Sequence, residues 1–154
     1  MAFLGLAQCD ESGSINVSRF GPKLPGCGGF ISITQNSKKV FFCGTFTAGG
    51  FKAHVQDGKL VIDQEGTETK FTKQVEQVTF SGKYAIKNKQ PVRYITERCV
   101  FELREDGLTI IEVAPGIDIQ SQIVDLMAFK PKVAEDVTLM DARIFREEKL
   151  GLKD

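Results

Sequence analysis

Residues 2–7 open the chain without a single polar side chain. A run this short predicts a strand buried on both faces, since neither alternating face offers water a polar group. Such a strand needs neighbours along its hydrogen-bonding edges, which predicts a sheet left open where the chain begins. A polar turn at residues 10–13 follows, and Ile15 and Val17 resume a short extended piece. Residues 21–29 are dense in glycine and proline and predict an irregular loop. The next strong strand is residues 38–46, KKVFFCGTF, closed by Gly49-Gly50. Phe51, Ala53 and Val55 then alternate with polar residues, and Asp57-Gly58 supplies the positive backbone dihedrals of a tight hairpin before Leu60-Val61-Ile62. Residues 69–80 predict further edge strands. A second hairpin is predicted where residues 94–103 meet residues 108–113 across Asp106-Gly107.

After Pro115-Gly116 the period becomes helical. Asp118 is placed to cap, and Ile119, Ile123, Leu126 and Met127 form one stripe that predicts a helix packed on the sheet, ended by Lys130-Pro131. The reading is a single α/β domain over residues 1–145, a mixed sheet with packed helices. Residues 146–154 form a charged tail expected to fray or to make a peripheral helix.

Composition narrows the partners. Twenty basic residues balance twenty acidic ones across 154 positions, so no global field points to nucleic acid or to a membrane surface. No apolar run approaches the ~18 residues of a membrane span. Cys9, Cys27, Cys43 and Cys99 are widely spaced, which suits free thiols in a reducing, cytoplasmic setting.

Candidate chemistry concentrates in Gly26-Cys27-Gly28-Gly29-Phe30. Glycine permits unusual dihedrals and close ligand approach, and successive amides can cradle an oxygen anion. Gly26, Gly28 and Gly29 are therefore ligand-contact candidates, with Phe30 as an apolar wall and Lys23 and Arg19 within reach of phosphates; a simple tight bend is the competing reading. The Gly-Lys-Ser/Thr ending of a phosphate-binding loop is missing. Glu97 and Arg98 lie adjacent in apolar surroundings, so each needs a partner; if they sit in a strand, their side chains point to opposite faces. His54 lacks the companions of a catalytic triad, Cys27 reads as a packing residue, and no ligand cluster suggests a metal.

The ordered blocks FLGLAQ (3–8), NVS (16–18), GCGGFI (26–31), KKVFFCGTFTAGG (38–50), YITERCVF (94–101), LTIIEVAPGID (108–118) and LMDARIF (139–145) resemble the family I CoA-transferases of the propionate or acetate type. The resemblance implies the carboxyl-terminal part of such an enzyme, with a NagB/RpiA/CoA-transferase-like fold. It implies acyl-CoA and a small carboxylic acid as substrates, CoA as the carried group and no prosthetic group. In that family a glutamate attacks the acyl-CoA carbonyl and passes through a glutamyl-CoA thioester. The resemblance places that glutamate, and the family's other oxyanion-forming glycine turn, upstream of Phe3. Glu11-Ser12-Gly13 imitates the short glutamate motif on the wrong side of the strand, so Glu11 reads as a decoy and no catalytic residue is assigned. By position, Gly26, Gly28 and Gly29 correspond to the family's carboxyl-terminal glycine loop, which the resemblance places beside CoA and the reacting glutamate. Phe30 and Lys23 join them as CoA-binding candidates on their own chemistry, an apolar wall and a cation for its phosphates. An isolated chain is then expected to be inactive and to need an amino-terminal region or subunit, and its open edge favours homo-oligomers. A CoA-binding or structural module is the alternative.

Overall fold

A computed structural model describes residues 1–152; the end of the charged tail, residues 153 and 154, lies outside the described residues. In chain order the elements are β1 (Ala2–Gly5), β2 (Gln8–Asp10), β3 (Ile15–Asn16), α1 (Phe30–Asn36), β4 (Val40–Cys43), β5 (Thr47–Ala48), β6 (Lys52–Gln56) and β7 (Lys59–Gln64). There follow β8 (Glu68–Thr69), β9 (Phe71–Thr72), α2 (Gly82–Lys87), β10 (Val92–Ile95), β11 (Cys99–Arg104), β12 (Gly107–Val113), α3 (Ile119–Gln122) and β13 (Lys132–Leu139). Two 3-10 turns, Val124–Leu126 and Ala142–Phe145, complete the set.

The organising element is a six-stranded mixed sheet in the order β1-β4-β10-β11-β12-β13. β1, β4 and β10 run parallel, β10 to β12 form an antiparallel meander, and β13 returns parallel to β12. This is the mixed α/β sheet that the pattern of strands and helices predicts. Parallel pairs need long crossovers, and the chain supplies them through α1 and α2. Both predicted Asp-Gly turns close hairpins: Asp57 and Gly58 adopt positive φ between β6 and β7, and Gly107 does so between β11 and β12.

One face of the sheet carries the main core. Val40 and Phe42 of β4, Tyr94 of β10, Phe101 of β11 and Ile110 of β12 are fully buried there. Phe42 is the hub: its ring stacks on Phe30 of α1 at 5.6 Å, meets Phe80 edge-on at 5.0 Å and lies 5.4 Å from Tyr94. The Tyr94 hydroxyl donates to the Gly13 carbonyl, so the ring's one polar atom is satisfied. On the other face a smaller cluster of Leu60, Val100, Ala114, Met140 and Phe145 seats the β6–β7 hairpin and the last 3-10 turn.

Several expectations need correction. β1 is the edge strand of the sheet, as an open beginning requires, but it is not buried on both faces. Phe3 is 64% exposed and stacks on Phe41 at 4.8 Å, because no layer among the described residues covers that part of the outer face. Residues 94–103 are not one strand: a turn at 96–98 splits them into β10 and β11. Of residues 69–80 only β9 and the end of β8 are strand; the rest is loop, pinned inward by Phe71, Val75 and Phe80. The helix after Asp118 is capped as predicted, with the Asp118 carboxylate accepting from the Ser121 amide at 2.8 Å. It lasts only to Gln122 and continues as a 3-10 turn, although its stripe still faces the core through the fully buried Ile123. β13, α1 and α2 are not signalled by periodicity: each is short or mixes charged and apolar positions.

The hairpin carries a testable electrostatic pair. His54 Nδ1 lies 2.8 Å from Asp63 Oδ2, and this hydrogen bond, helped by Gln56, raises the imidazole pKa. A raised value stabilises the fold fully below the unfolded pKa of about 6.5, and the contribution disappears as pH climbs through the folded value. His54 is the single histidine of the chain, so its ring proton signals should titrate above the unperturbed value. Asp63→Asn should bring the midpoint back down, and an unshifted wild-type midpoint would refute the pairing.

Candidate functional site

The carboxyl ends of the parallel strands share one rim. Gly5 pairs with Cys43, Cys43 with Ile95, and Val113 with Leu139. Open α/β sheets bind ligands beyond this edge, where loops leave the strands. α1 runs back against β4, so its amino end faces the same rim. At its first turn Phe30 stacks on Phe42, in the rim half of β4. At its other end the carbonyls of Thr34 and Ser37 accept from the Gln90 amide, which precedes the start of β10 at the opposite edge. The glycine loop therefore stands at the carboxyl rim.

That loop is anchored at its start and open thereafter. Asn16 Oδ1 accepts the amides of Ser18 and Arg19, and Glu76 Oε2 accepts the Gly21 amide at 2.7 Å. Phe20 and Lys23 exchange backbone hydrogen bonds, leaving the Lys23 side chain exposed. Gly26 and Gly28 hold φ of +80° and +49°, which other residues adopt only with strain. Among the described residues, and apart from the adjacent ones in the chain, a Cβ at either position would meet no atom within 4 Å. The dihedrals demand glycine here, and the space beside them is free. α1 has Gly29 as its N-cap and no side-chain capping bond, so its first-turn amides are not satisfied by a cap. Cys27 is half-buried against the core, as a packing residue should be. Phe30 is buried, its ring turned to Phe42, so it supports the loop from below more than it walls it.

The second feature of the rim is a charge network that the sequence only hinted at. Glu97 and Arg98 occupy the β10–β11 turn, not a strand, so their side chains can meet: Arg98 Nε donates to Glu97 Oε1 at 2.7 Å. The turn is tied by the Thr96 hydroxyl, which donates to the Cys99 carbonyl and accepts the Cys99 amide. The Arg98 side chain is 0% exposed, against 19% for Glu97 and 32% for Glu65. Its Nη1 and Nη2 form a bidentate pair with Glu65, both at 2.9 Å, and Nη1 also donates to the Gln122 carbonyl. Phe46 and Phe51 lie against the guanidinium at 4.6 and 5.3 Å, within the range of cation–π attraction. Burial opposes ionisation of Glu65, but the hydrogen bonds from Arg98 and Thr47 outweigh it and hold the carboxyl below its ordinary range. Lys70 completes the set: its ammonium donates to the Thr45 carbonyl at 2.7 Å, and burial pulls its pKa down while Glu97 partly restores it.

These contacts commit both carboxylates of the network. Glu65 gives both oxygens to Arg98 and one also to Thr47; Glu97 gives one to Arg98 and the other to the Phe46 amide. An ionised carboxylate shared among so many donors is a poor nucleophile, since its charge is already neutralised. Glu65, Phe46 and Lys70 escaped sequence reading because each is distant in the chain from Arg98. The one available signal was the need of adjacent Glu97 and Arg98 for partners.

Glu11 lies elsewhere. The turn that bears it is organised by the buried Asp10, whose carboxylate accepts the amides of Ser12 and Ser14, the Ser12 hydroxyl and the Val75 amide. The Glu11 carbonyl packs against Gly107 at the start of β12, and Glu11 lines a surface cleft with Lys83, Asp106 and Lys132. That is the amino edge of the sheet, opposite to the glycine loop. Among the described residues no three His, Cys, Asp or Glu side chains gather as metal ligands, and no helix is long and apolar enough to cross a membrane.

No protein-family model matches the chain. A caffeate CoA-transferase of Acetobacterium woodii is 52% identical over 99% of the chain, and the acetate CoA-transferase YdiF of Escherichia coli K12 is 48% identical over 98%. The chain spans 30% and 28% of the lengths of these relatives. Among solved structures, the acyl-CoA transferase YdiF of Escherichia coli O157:H7 superposes with a TM-score of 0.95 over 98% of the chain and 29% of its own, both as apoenzyme and, over 30% of its own, in a thioester complex with CoA. The decarboxylase AibA/AibB shares the fold alone, at 19% identity and a TM-score of 0.63. In sequence and in fold, the chain matches the family I CoA-transferases over less than a third of their length.

Proposed function

We propose that this chain forms part of an acyl-CoA:carboxylate CoA-transferase that exchanges CoA between a short-chain acyl-CoA and acetate or a similar acid. The observation that carries the reading is the 0.95 superposition on a transferase solved as a thioester with CoA, at 48% identity. The geometry agrees with it: a glycine loop with free space beside it stands at the carboxyl rim. In this reading Gly26, Gly28 and Gly29 admit the CoA chain, Phe30 steadies their helix and Lys23 meets phosphate. A glutamate from polypeptide beyond this chain attacks the thioester carbonyl and displaces CoA thiolate, leaving an acyl–glutamyl anhydride. The thiolate then attacks the glutamyl carbonyl and releases the donor's carboxylate, so that the glutamate carries CoA as a thioester. Amide donors at the loop stabilise the developing oxyanion. Glu65 and Glu97 are held by Arg98, and Glu11 is at the far edge, so none of the three is assigned as nucleophile. The same missing polypeptide, an amino-terminal region or a separate subunit, packs along the open edge of β1 and over Phe3 and Phe41.

The test is transfer from acetyl-CoA to propionate. The folded chain alone should show none, and mixing it with the complementary amino-terminal polypeptide of a full-length relative should restore turnover. Robust transfer by the chain alone would refute the external glutamate. Gly28→Ala, whose methyl would point into space this chain leaves free, should weaken CoA binding about tenfold while costing only ~1 kcal/mol of stability. Unchanged binding would remove the loop from the site.

A further inference from the structure

We infer that Arg98 is a positioning residue, whose buried guanidinium locks three separate excursions of the chain into one wall at the carboxyl rim. The inference rests on the transferase reading only for what the wall encloses.

The contacts divide by origin. Arg98 stands on the β10–β11 turn, in the middle of the sheet. Through Glu97, whose second oxygen accepts the Phe46 amide at 2.8 Å, it holds the segment leaving β4. Through Glu65 it holds the segment leaving β7, and the Thr47 hydroxyl joins these two by donating to Glu65 and accepting the Gly66 amide at 3.1 Å. Through the Gln122 carbonyl it holds the end of α3. The β5–β8 pair rests on the first two of these attachments.

Stability alone is a weak explanation for this design. Burying an ion network is often no better, and can be worse, than filling the same space with apolar side chains. What the guanidinium supplies is geometry: a planar fork with five donors, fixed in direction, which a lysine ammonium cannot reproduce. Here four N–H bonds reach three different pieces of chain, and the rings of Phe46 and Phe51 lie against the guanidinium. The consequence is a rim whose loops move together or not at all, next to the loop that admits CoA in the reading above.

Amide hydrogen exchange on Arg98→Lys tests this directly. The Phe46 and Gly66 amides, which report two different excursions, should both exchange at least tenfold faster, with the β11 and β12 amides of Phe101 and Ile110 unchanged. CoA affinity of the same folded sample should fall about tenfold. Exchange at wild-type rates, or acceleration of one reporter without the other, would overturn the clamp. Faster exchange at both reporters with wild-type CoA affinity would overturn its link to the site. Should the wild-type chain bind no CoA at all, the transferase reading fails while the exchange result still decides the clamp. If Arg98→Lys does not fold, Glu65→Gln gives the same test: it keeps the side-chain shape, loses the bidentate pairing and should accelerate both reporters about threefold.

Discussion

Replacing Arg98 with methionine is expected to lower folding stability by about 3 kcal/mol. The cost arises chiefly from what remains: Glu65 and Glu97 would lose the cation they share, with Lys70 left to act on Glu97, and the Gln122 carbonyl would lose its donor. Breaking a buried ion pair on one side costs about 3–5 kcal/mol, and the lower end applies because the two carboxylates are 32% and 19% exposed and keep some water. Against a typical domain stability of about 5–15 kcal/mol this is a large share. Urea unfolding should show a reduced midpoint at an unchanged slope. Adding Glu65→Gln and Glu97→Gln to Arg98→Met should recover much of the loss, since unpaired charge is the main penalty. A triple variant no more stable than the single one would show that packing of the guanidinium, not charge, dominates. The network also has a pH signature. Because the Glu65 pKa is depressed in the folded state, its contribution is fully present above the unfolded value of about 4.3 and is lost as pH falls through the folded value. Arg98→Met should flatten that acid limb.

Phe42→Ala is expected to cost about 3–5 kcal/mol, the range for emptying a buried aromatic site. Phe42 is fully buried at the centre of β4, and its ring touches Phe30, Phe80 and Tyr94. Those neighbours come from α1, the loop before α2 and β10, so the cavity cannot close by moving one side chain. Phe42→Leu keeps most of the apolar volume and forfeits mainly the ring pairings, each about 0.5–1.5 kcal/mol. The alanine variant should also displace the glycine loop, because Phe30 rests on Phe42 and opens the helix that follows the loop. An unfolding free energy from urea titration within ~1 kcal/mol of wild type would mean the core relaxes around the gap, contrary to a close-packed hub.

How far the residues themselves announced this molecule depends on whether a contact is local. The two Asp-Gly hairpin turns, the Asp118 cap and the strand around Phe42 could be read directly, since a turn's dihedrals, a capping carboxylate and a strand's apolar run act within a few positions. The glycine loop was legible as a loop needing unusual dihedrals, and Gly26 and Gly28 do adopt positive φ. Even the weak point at the beginning, an apolar strand requiring neighbours, was visible before β1 took its place at the sheet's edge. Local pattern misjudged residues 94–103 as one strand because Thr96-Glu97-Arg98 carries no glycine or proline to mark the turn.

Only the tertiary structure decided which distant residues share the rim. Arg98 meets Glu65 across 33 positions and Gln122 across 24, and no periodicity encodes either pairing. Likewise Glu11, which mimics a catalytic motif in sequence, is sent to the opposite edge by the direction in which β2 leaves the sheet and by packing on Gly107. The residues thus determined the elements and the conformational demands of each turn, because those depend on neighbours along the chain. The order and direction of strands determined the site, because burial brings together charges whose partners lie far away in sequence.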